Sequence, residues 1–246
     1  MNFSILFVLL AGLIFRLFLA SFGTLQLDHG TFVAWASSLY QDGFKTFYYL
    51  PGYLYILWLL GKLNETLPGF QTILFKLPAI LADLATGFLI YKIVYKLKNE
   101  KWATISSLLY IFNPAIFANS TLWGQVDSLT SLFALFAIYI FPKNYILSAV
   151  SLAVGTLIKP QAAFILPAIL YMFVFYDQNR RFIYRLAKSI TYSLSGLIVF
   201  TLGFVPFNNS SSLFNFIIER LTLSSGQYKY GSVNAFSFWG IFGFWK

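Results

Sequence analysis

Long apolar runs alternate with short polar segments along most of this 246-residue chain. A helix needs about 20 apolar residues to cross a bilayer, and the pattern therefore predicts an all-α polytopic membrane protein of about seven spans. The runs 126–141 and 144–158 are somewhat short for full crossings, so we expect them to form a hairpin in a thin or protein-packed region. The predicted spans are 3–23, 70–91, 103–120, 126–141, 144–158, 160–176 and 189–207.

The segment 24–50 has a mixed pattern that predicts an interfacial helix. Its apolar and aromatic residues recur at helical spacing opposite a polar face, and Asp42-Gly43 ends the pattern. The next run, 51–67, is short and is bracketed by Pro51-Gly52 and Pro68-Gly69. We expect it to be a re-entrant or interfacial helix that does not cross.

Basic residues concentrate in three short segments. The segments 92–101 and 177–188 hold four basic residues each and 142–144 holds one, and all three share a side if the intervening runs cross. Lysine and arginine favour cytoplasmic loops, so we predict that these segments and the N-terminus are cytoplasmic. A crossing by 51–67 would move Asp28 to the lysine-rich side, which is a second reason to keep that run on the outer face.

Composition supports a membrane protein and narrows the chemistry. Apolar residues make up 59% and charged residues only 10%, whereas a soluble domain carries roughly a quarter charged residues. The net charge of +9 is scattered over short loops, which predicts no nucleic-acid partner and leaves membrane lipids as partners. There is no cysteine and His29 is the sole histidine, so a thiolate or histidine-cluster metal centre is excluded and no cofactor is predicted.

One polar stretch stands between two apolar runs, and it reads NPAIFANSTLWGQVDS at 113–128. Such polarity is expensive at membrane depth unless it lines a cavity or a water-facing surface. Either this stretch is a loop in which Asp127 caps the next helix, or it is one wall of a site.

Polar residues at the ends of other elements converge on the same predicted face. Asp28 follows the first span, Asp127 starts the fourth, and Lys159 ends the fifth, just before Gln161. They predict a shared outward-facing pocket. The alternatives are that Asp28 caps the interfacial helix together with Thr31, and that Lys159 is a snorkelling anchor.

Three charged residues lie inside predicted spans. Arg16 needs a partner or a route to water, and Asp83 and Lys76 form either a buried structural pair or a contact with Arg16. Further along, 212–223 predicts an amphipathic helix with Glu219 and Arg220 on its polar side.

The last forty residues add two more polar candidates. Lys229 and Asn234 belong either to the site or to ordinary loop polarity. The chain stops about ten residues into a new apolar run, too short to span, so we expect a single module over 1–246 whose C-terminal part is missing.

An ordered set of short motifs resembles integral-membrane GT-C glycosyltransferases, especially the glycosylphosphatidylinositol mannosyltransferase-like branch and its prokaryotic relatives. The set covers nearly the whole chain and begins with Asp28 after the first span and the helix ending in DG. It continues with YYLPGYLY, LADLATGFLIY, NPAIFANSTLWGQVDS, TLIKPQ and SVNAFSFW. The resemblance implies a GT-C-like helical bundle in a prokaryotic plasma membrane.

The resemblance also implies a reaction. It implies a hexosyltransferase that moves a mannose-like sugar from a polyprenyl-phosphate donor to a glycolipid, glycan or protein acceptor on the extracytoplasmic face, with inversion. Asp28 is then the catalytic base, Gln125 and Asp127 lie near the sugars, and Lys159 lies near the donor phosphate. Candidate substrate-binding residues are Gln125, Asp127, Lys159, Gln161, Arg220, Lys229 and Asn234. His29 stands where many relatives carry a second acid.

Two other classes of function compete with this interpretation. A lipid or solute transporter also carries inward-facing charges and re-entrant segments, but transporters often show a repeat with broken helices in both halves, and this chain has one such segment. An inactive fragment or assembly subunit of the same family is the third hypothesis.

Overall fold

The structure is a computed structural model that describes residues 3–44, 49–175, 181–210, 212–226 and 241. Within those ranges the chain forms eleven α-helices and no strand, which confirms the all-α prediction. The α-helices are Phe3–Ala20 (α1), Gln26–Asp42 (α2), Pro51–Thr66 (α3), Gln71–Leu97 (α4), Glu100–Ile111 (α5), Pro114–Phe117 (α6), Asp127–Ile140 (α7), Tyr145–Ile158 (α8), Leu166–Phe175 (α9), Phe182–Phe204 (α10) and Leu213–Gly226 (α11).

Short 3₁₀-helical and π-helical segments connect several of these helices. Pro68–Phe70, Pro160–Ile165 and Val205–Phe207 are 3₁₀ helices. Residues Ala118–Trp123 form a π-helical segment between α6 and α7, which we call the π segment. Such segments are rare and occur mostly at functional positions.

Only some of the predicted spans form helices that are long enough to cross a bilayer. Among the described residues, three apolar helical stretches reach that length, namely Phe3–Ala20, Pro68–Leu97 and Phe182–Phe207. The apolar helices Asp127–Ile140, Tyr145–Ile158 and Pro160–Phe173 are shorter. The third predicted span, 103–120, divides into α5, α6 and the start of the π segment, because Asn113-Pro114 ends one helix and begins the next.

Helix α4 packs antiparallel to α1 and to α5. Helix α1 runs against α4, so that Ile5 and Tyr91 share one buried cluster at one end, and Lys76 bonds the carbonyl of Ala20 at the other. Ala103 of α5 joins the Ile5–Tyr91 cluster. Helix α4 therefore ends where α1 and α5 begin.

Helices α7 and α8 form the expected hairpin. Ser148 donates to the Ala137 carbonyl at 2.7 Å, and Ser151 donates to the Phe133 carbonyl at 2.7 Å. These serine bonds satisfy polar groups between two short helices, which is how a hairpin packed inside protein tolerates them.

The basic segments gather at one end of the bundle. Ser4 donates to Glu100 at 3.1 Å, which joins the start of α1 to the start of α5. Lys96 lies over the ring of Tyr139, 4.6 Å from its centre, and Lys188 lies 5.6 Å from the centre of Tyr145. We call this the basic end. The opposite end, where α1, α8 and the π segment finish, is the site end.

Helix α3 has both of its termini near the site end. A Cβ atom on Gly52 would come within 2.5 Å of the Leu157 backbone, so α3 begins against the last turn of α8. Its other terminus leads through Pro68–Phe70 straight into α4, whose Lys76 contacts the end of α1. This arrangement agrees with the expectation that 51–67 does not cross.

The largest buried cluster surrounds α3 and includes residues of α2, α4, α7, α8, α10 and α11. Ala36 and Leu39 of α2 are fully buried in it, and Gly43 ends α2 with φ of +80°, as the Asp42-Gly43 signal predicted. Helix α2 is thereby fixed against the bundle, with Asp28 in its first turn.

Candidate functional site

The carboxylate of Asp28 binds side chains from the end of the π segment and the residues after it. Its Oδ2 atom accepts a hydrogen bond from Trp123 Nε1 at 2.6 Å and one from Gln125 Nε2 at 2.7 Å. Both bonds fall on one oxygen, and no described side chain donates to Oδ1. Asp28 is half-buried, so part of the residue remains accessible to solvent.

The interpretation of Asp28 as a helix cap is wrong. Helix α2 begins one turn earlier, with Leu25 at its N-cap and no side-chain capping bond. Thr31 donates to the Leu27 carbonyl at 2.8 Å and does not complete a cap with Asp28.

Asp127 forms a second polar group beside the first. Its Oδ1 atom pairs with Lys159 Nζ, and its Oδ2 atom accepts from Asn119 Nδ2 at 3.2 Å. Its side chain keeps 48% of its surface exposed, whereas that of Lys159 keeps 18%. Asp127 also makes no capping bond, since Val126 is the N-cap of α7.

A sharp backbone turn brings these two acids to one place. Gly124 has φ of +88°, in the left-handed region that side chains other than glycine's rarely adopt. The Asn119 carbonyl accepts from the amides of Gly124 at 3.1 Å and Gln125 at 3.0 Å, which closes the π segment. Gln125 thus reaches Asp28, and Asp127 starts α7 two residues later.

A buried ion pair holds the π segment in place. Arg16 Nη1 lies 2.8 Å from Asp83 Oδ2, and both side chains are fully buried. Ser120 donates to the same Asp83 oxygen at 2.5 Å, and Arg16 also binds Thr121 at 3.2 Å and the Ile111 carbonyl at 2.8 Å. Arg16 therefore has its partner, and the pair holds the backbone that carries Asn119 and Trp123.

Lys76 does not pair with Asp83, which corrects one of the two expectations for it. Its ammonium donates to the carbonyls of Ala20, at 3.0 Å, and Gly23, at the end of α1. A cation there satisfies carbonyls that the helix leaves unbonded and complements the negative end of its dipole. Lys76 also lies directly beneath Gly124, since a Cβ at that glycine would come 3.5 Å from its Cγ.

His29 packs edge-on to Phe75, with ring centres 5.9 Å apart, beside the buried Lys76. Burial lowers the pKa of His29 below its ordinary value of 6.5, and the positive charge of Lys76 lowers it further. The residue next to Asp28 is therefore held neutral, where a second acid would add negative charge.

The four remaining predicted residues are not brought into this group by the described structure. Gln161 is exposed in the 3₁₀ helix after Lys159, and within the described ranges its side chain makes no hydrogen bond. Arg220 is buried and its guanidinium lies 4.5 Å from the centre of the Phe216 ring, so it does not share the exposed side of Glu219 as predicted. Lys229 and Asn234 lie outside the described residues.

Sequence reasoning did not single out Trp123 as a site residue. It included Asn119 only as one of the polar residues of the stretch 113–128, without a role of its own. Their only signal was position, since both lie within six residues of Gln125 in the same polar stretch.

The fold and the site together define a class of protein. It is an all-α integral membrane protein with two carboxylates, a lysine and neutral N–H donors grouped at one end of the bundle. This is a set suited to acid–base chemistry on a polar substrate at the membrane surface.

The family follows from sequence comparison. Residues 50–207 match the dolichyl-phosphate-mannose-protein mannosyltransferase family, and the chain belongs to that family, within the GT-C superfamily. The match confirms a membrane glycosyltransferase, while the glycosylphosphatidylinositol mannosyltransferase-like branch stays a prediction. Gln125, Asp127, Lys159 and Gln161 lie inside the matched region, and Asp28 and Arg220 lie outside it. No curated protein matches the chain. No solved structure matches it either.

Proposed function

We propose that this protein transfers a mannose-like hexose from a polyprenyl-phosphate donor to an acceptor on the extracytoplasmic face of a prokaryotic plasma membrane. Asp28 is the general base and the anomeric configuration inverts. The observation that carries the proposal is the pairing at the site end. One carboxylate is oriented by two neutral donors, and a cation lies on the neighbouring carboxylate.

The geometry of Asp28 supports the role of base. Trp123 and Gln125 fix Oδ2 without neutralising the carboxylate, because both donors are uncharged. The Oδ1 atom takes the proton of the acceptor hydroxyl as its oxygen bonds to the anomeric carbon. The sugar–phosphate bond breaks in the same step, and the lipid phosphate leaves with the bonding electrons.

Lys159 supports leaving-group stabilisation. An ammonium has three donors, and Lys159 uses one on Asp127. A donor phosphate that approaches Lys159 meets a cation already oriented by Asp127, so the developing charge is stabilised without reorganisation. Asp127, whose Oδ2 is held by Asn119, has the second role of positioning this lysine. Gln161, Arg220, Lys229 and Asn234 remain proposed substrate contacts.

The face of the membrane follows from charge. The basic end carries Lys96, Lys143 and Lys188, and basic residues favour the cytoplasm. The site end then opens on the opposite side, where nucleotide-linked sugars are absent and a lipid-linked donor is required.

The test offers two donors to the purified full chain in liposomes. Radiolabelled polyprenyl-phosphate mannose and radiolabelled guanosine diphosphate mannose are each supplied with a membrane extract as the acceptor pool. We expect label to move to product from the lipid-linked donor only, and about 10²–10³-fold less transfer by Lys159→Gln. The exposed Lys62→Gln serves as the matched control. Transfer from the nucleotide donor at an equal rate would overturn the proposed donor class.

A further inference from the structure

A second concave surface lies at the basic end, remote from the site end. It is a cavity of about 360 Å³ between the adjoining ends of α7, α8, α9 and α10. Three of its lining residues are the basic Lys143, Arg185 and Lys188, and four are aromatic, among them Tyr145 and Tyr184. Small-molecule sites span roughly 300–1,000 Å³, so the volume suits a compact ligand.

The charged residues that the structure describes in the cavity lining are all basic. Within the described ranges, none of the lining residues is acidic. Lys188 lies 4.6 Å from the centre of the Tyr184 ring and 5.6 Å from that of Tyr145. The ring faces hold the ammonium at the wall of the cavity and leave its N–H groups available, since a ring face satisfies charge but not hydrogen-bond geometry.

Three cations around one volume favour an anionic ligand. Phosphate oxygens accept charge-assisted hydrogen bonds from both lysine and arginine. An anionic phospholipid and free inorganic phosphate share this chemistry.

The surroundings distinguish between these two sources. The two helices that contribute Phe173 and Tyr184 to the cavity also carry exposed apolar side chains next to these residues in sequence. Tyr171 of α9 and Phe182 and Ile183 of α10 are 62%, 68% and 67% exposed. Such side chains suit acyl chains and are unsuited to a freely soluble ion. Basic pockets between membrane helices on the cytoplasmic side are typical sites for anionic lipid headgroups.

We propose that this cavity binds the headgroup phosphate of an anionic phospholipid, with Lys143, Arg185 and Lys188 as its cationic ligands. The acyl chains lie along the exposed apolar faces of α9 and α10. The bound lipid connects the α7–α8 loop to the start of α10. This lipid site is separate from the site of sugar transfer, so a test of it is independent of the proposed function.

The experiment measures lipid binding to the purified full chain by native mass spectrometry. The ligands are phosphatidylglycerol, phosphatidylcholine and inorganic phosphate, each titrated separately. The test variant is K143Q/R185Q/K188Q. The matched control is K92Q/K98Q/K101Q, which removes the same charge from exposed positions at the same end but outside the cavity.

We expect phosphatidylglycerol to bind more tightly than phosphatidylcholine. Each basic residue near an anionic headgroup is worth roughly fivefold in affinity, so the test variant should bind phosphatidylglycerol about 100-fold more weakly. The control should change its affinity less than about threefold. If the test variant does not fold, K143Q alone, at an exposed loop position, should still lose roughly fivefold.

Three results would overturn the proposal. Equal losses in the test and control variants would mean a general surface-charge effect. Equal binding of phosphatidylcholine would mean an apolar lipid site without phosphate selection by charge. Binding of inorganic phosphate as tightly as phosphatidylglycerol would mean that the acyl chains contribute nothing.

Discussion

Asp83 and Asp28 are two carboxylates of one molecule in opposite environments. Asp83 is fully buried, pairs with Arg16 and accepts further bonds from Ser120 and Tyr110. Asp28 lies near the surface, and its two donors are neutral and bind a single oxygen. The contacts of Asp83 occupy both of its carboxylate oxygens. Those of Asp28 orient the carboxylate and keep one oxygen available.

This difference separates a supporting role from a chemical one. A buried ion pair is costly to break and does not exchange protons readily, so Asp83 fits a scaffold that holds the π segment. Asp28 is attached to the same scaffold through Trp123, which ends that segment. The buried Arg16–Asp83 pair thus positions Asp28 indirectly, through the π segment.

The largest effect on stability should come from breaking the buried pair. Asp83→Ala leaves the Arg16 guanidinium buried without its carboxylate, and we expect a loss of about 3–5 kcal/mol in the free energy of unfolding. Asp28→Ala should cost only about 1 kcal/mol or less, because water can replace its bonds. Thermal unfolding in detergent measures both.

A charge-balanced control sharpens this prediction. The double variant Arg16→Met with Asp83→Leu removes both charges together and should recover most of the loss. Equal destabilisation by Asp83→Ala and Asp28→Ala would remove the distinction between the two acids.

The next effect concerns Lys159, the cation of the second polar group. Lys159→Gln removes a positioned charge from the proposed leaving-group site, and we expect kcat to fall by about 10²–10³-fold. Its ion pair with Asp127 is only partly buried and reaches water through Asp127, so it is worth little to folding and the melting temperature should change little. A large loss of stability with unchanged kcat would make the pair structural.

A smaller effect is expected from one donor to Asp28. Trp123→Phe keeps the ring and removes Nε1–H, and a hydrogen bond of about 1 kcal/mol corresponds to a roughly threefold to tenfold lower kcat. Trp102→Phe at the basic end is the control, since it removes an exposed indole far from Asp28. Equal rates for Trp123→Phe and the wild type would show that the indole does not orient the carboxylate.

The smallest effect is the pH dependence contributed by His29. Its folded-state pKa lies below the ordinary 6.5 because of burial and then Lys76, so the unfolded chain binds more protons in the window below that value. The free energy of unfolding should therefore fall as the pH drops from 7 toward 5. The His29→Gln variant should show a shallower slope over the same window, and an identical slope would exclude His29.

The sequence allowed the helical class and the grouping of basic segments at one end of the bundle to be predicted, because apolar runs and lysine-rich loops are local signals. The same is true of α2, whose Asp42-Gly43 end is a turn signal. The pairing of Asp28 with Trp123 spans 95 positions, and no periodicity encodes such a contact.

The partners of the buried charged residues could be predicted from the sequence only in part. Arg16 required a partner, but Asp83 and Lys76 were equally available by position. In the structure, the left-handed turn at Gly124 lies against the Lys76 side chain, and the ammonium of that lysine donates to the carbonyl of Ala20 at the end of α1. Such a turn is not evident from residue types alone.

The most direct test of the central claim compares Asp28→Asn with wild type in sugar transfer from polyprenyl-phosphate mannose. Asparagine keeps the size of the side chain and an oxygen acceptor, but an amide cannot take the hydroxyl proton at neutral pH. Asp42→Asn, an exposed acid at the other end of the same helix, is the matched control. We predict a loss of about 10²–10⁴-fold for Asp28→Asn at unchanged melting temperature, and full activity for Asp42→Asn. Near wild-type transfer by a folded Asp28→Asn would contradict the assignment of Asp28 as the base.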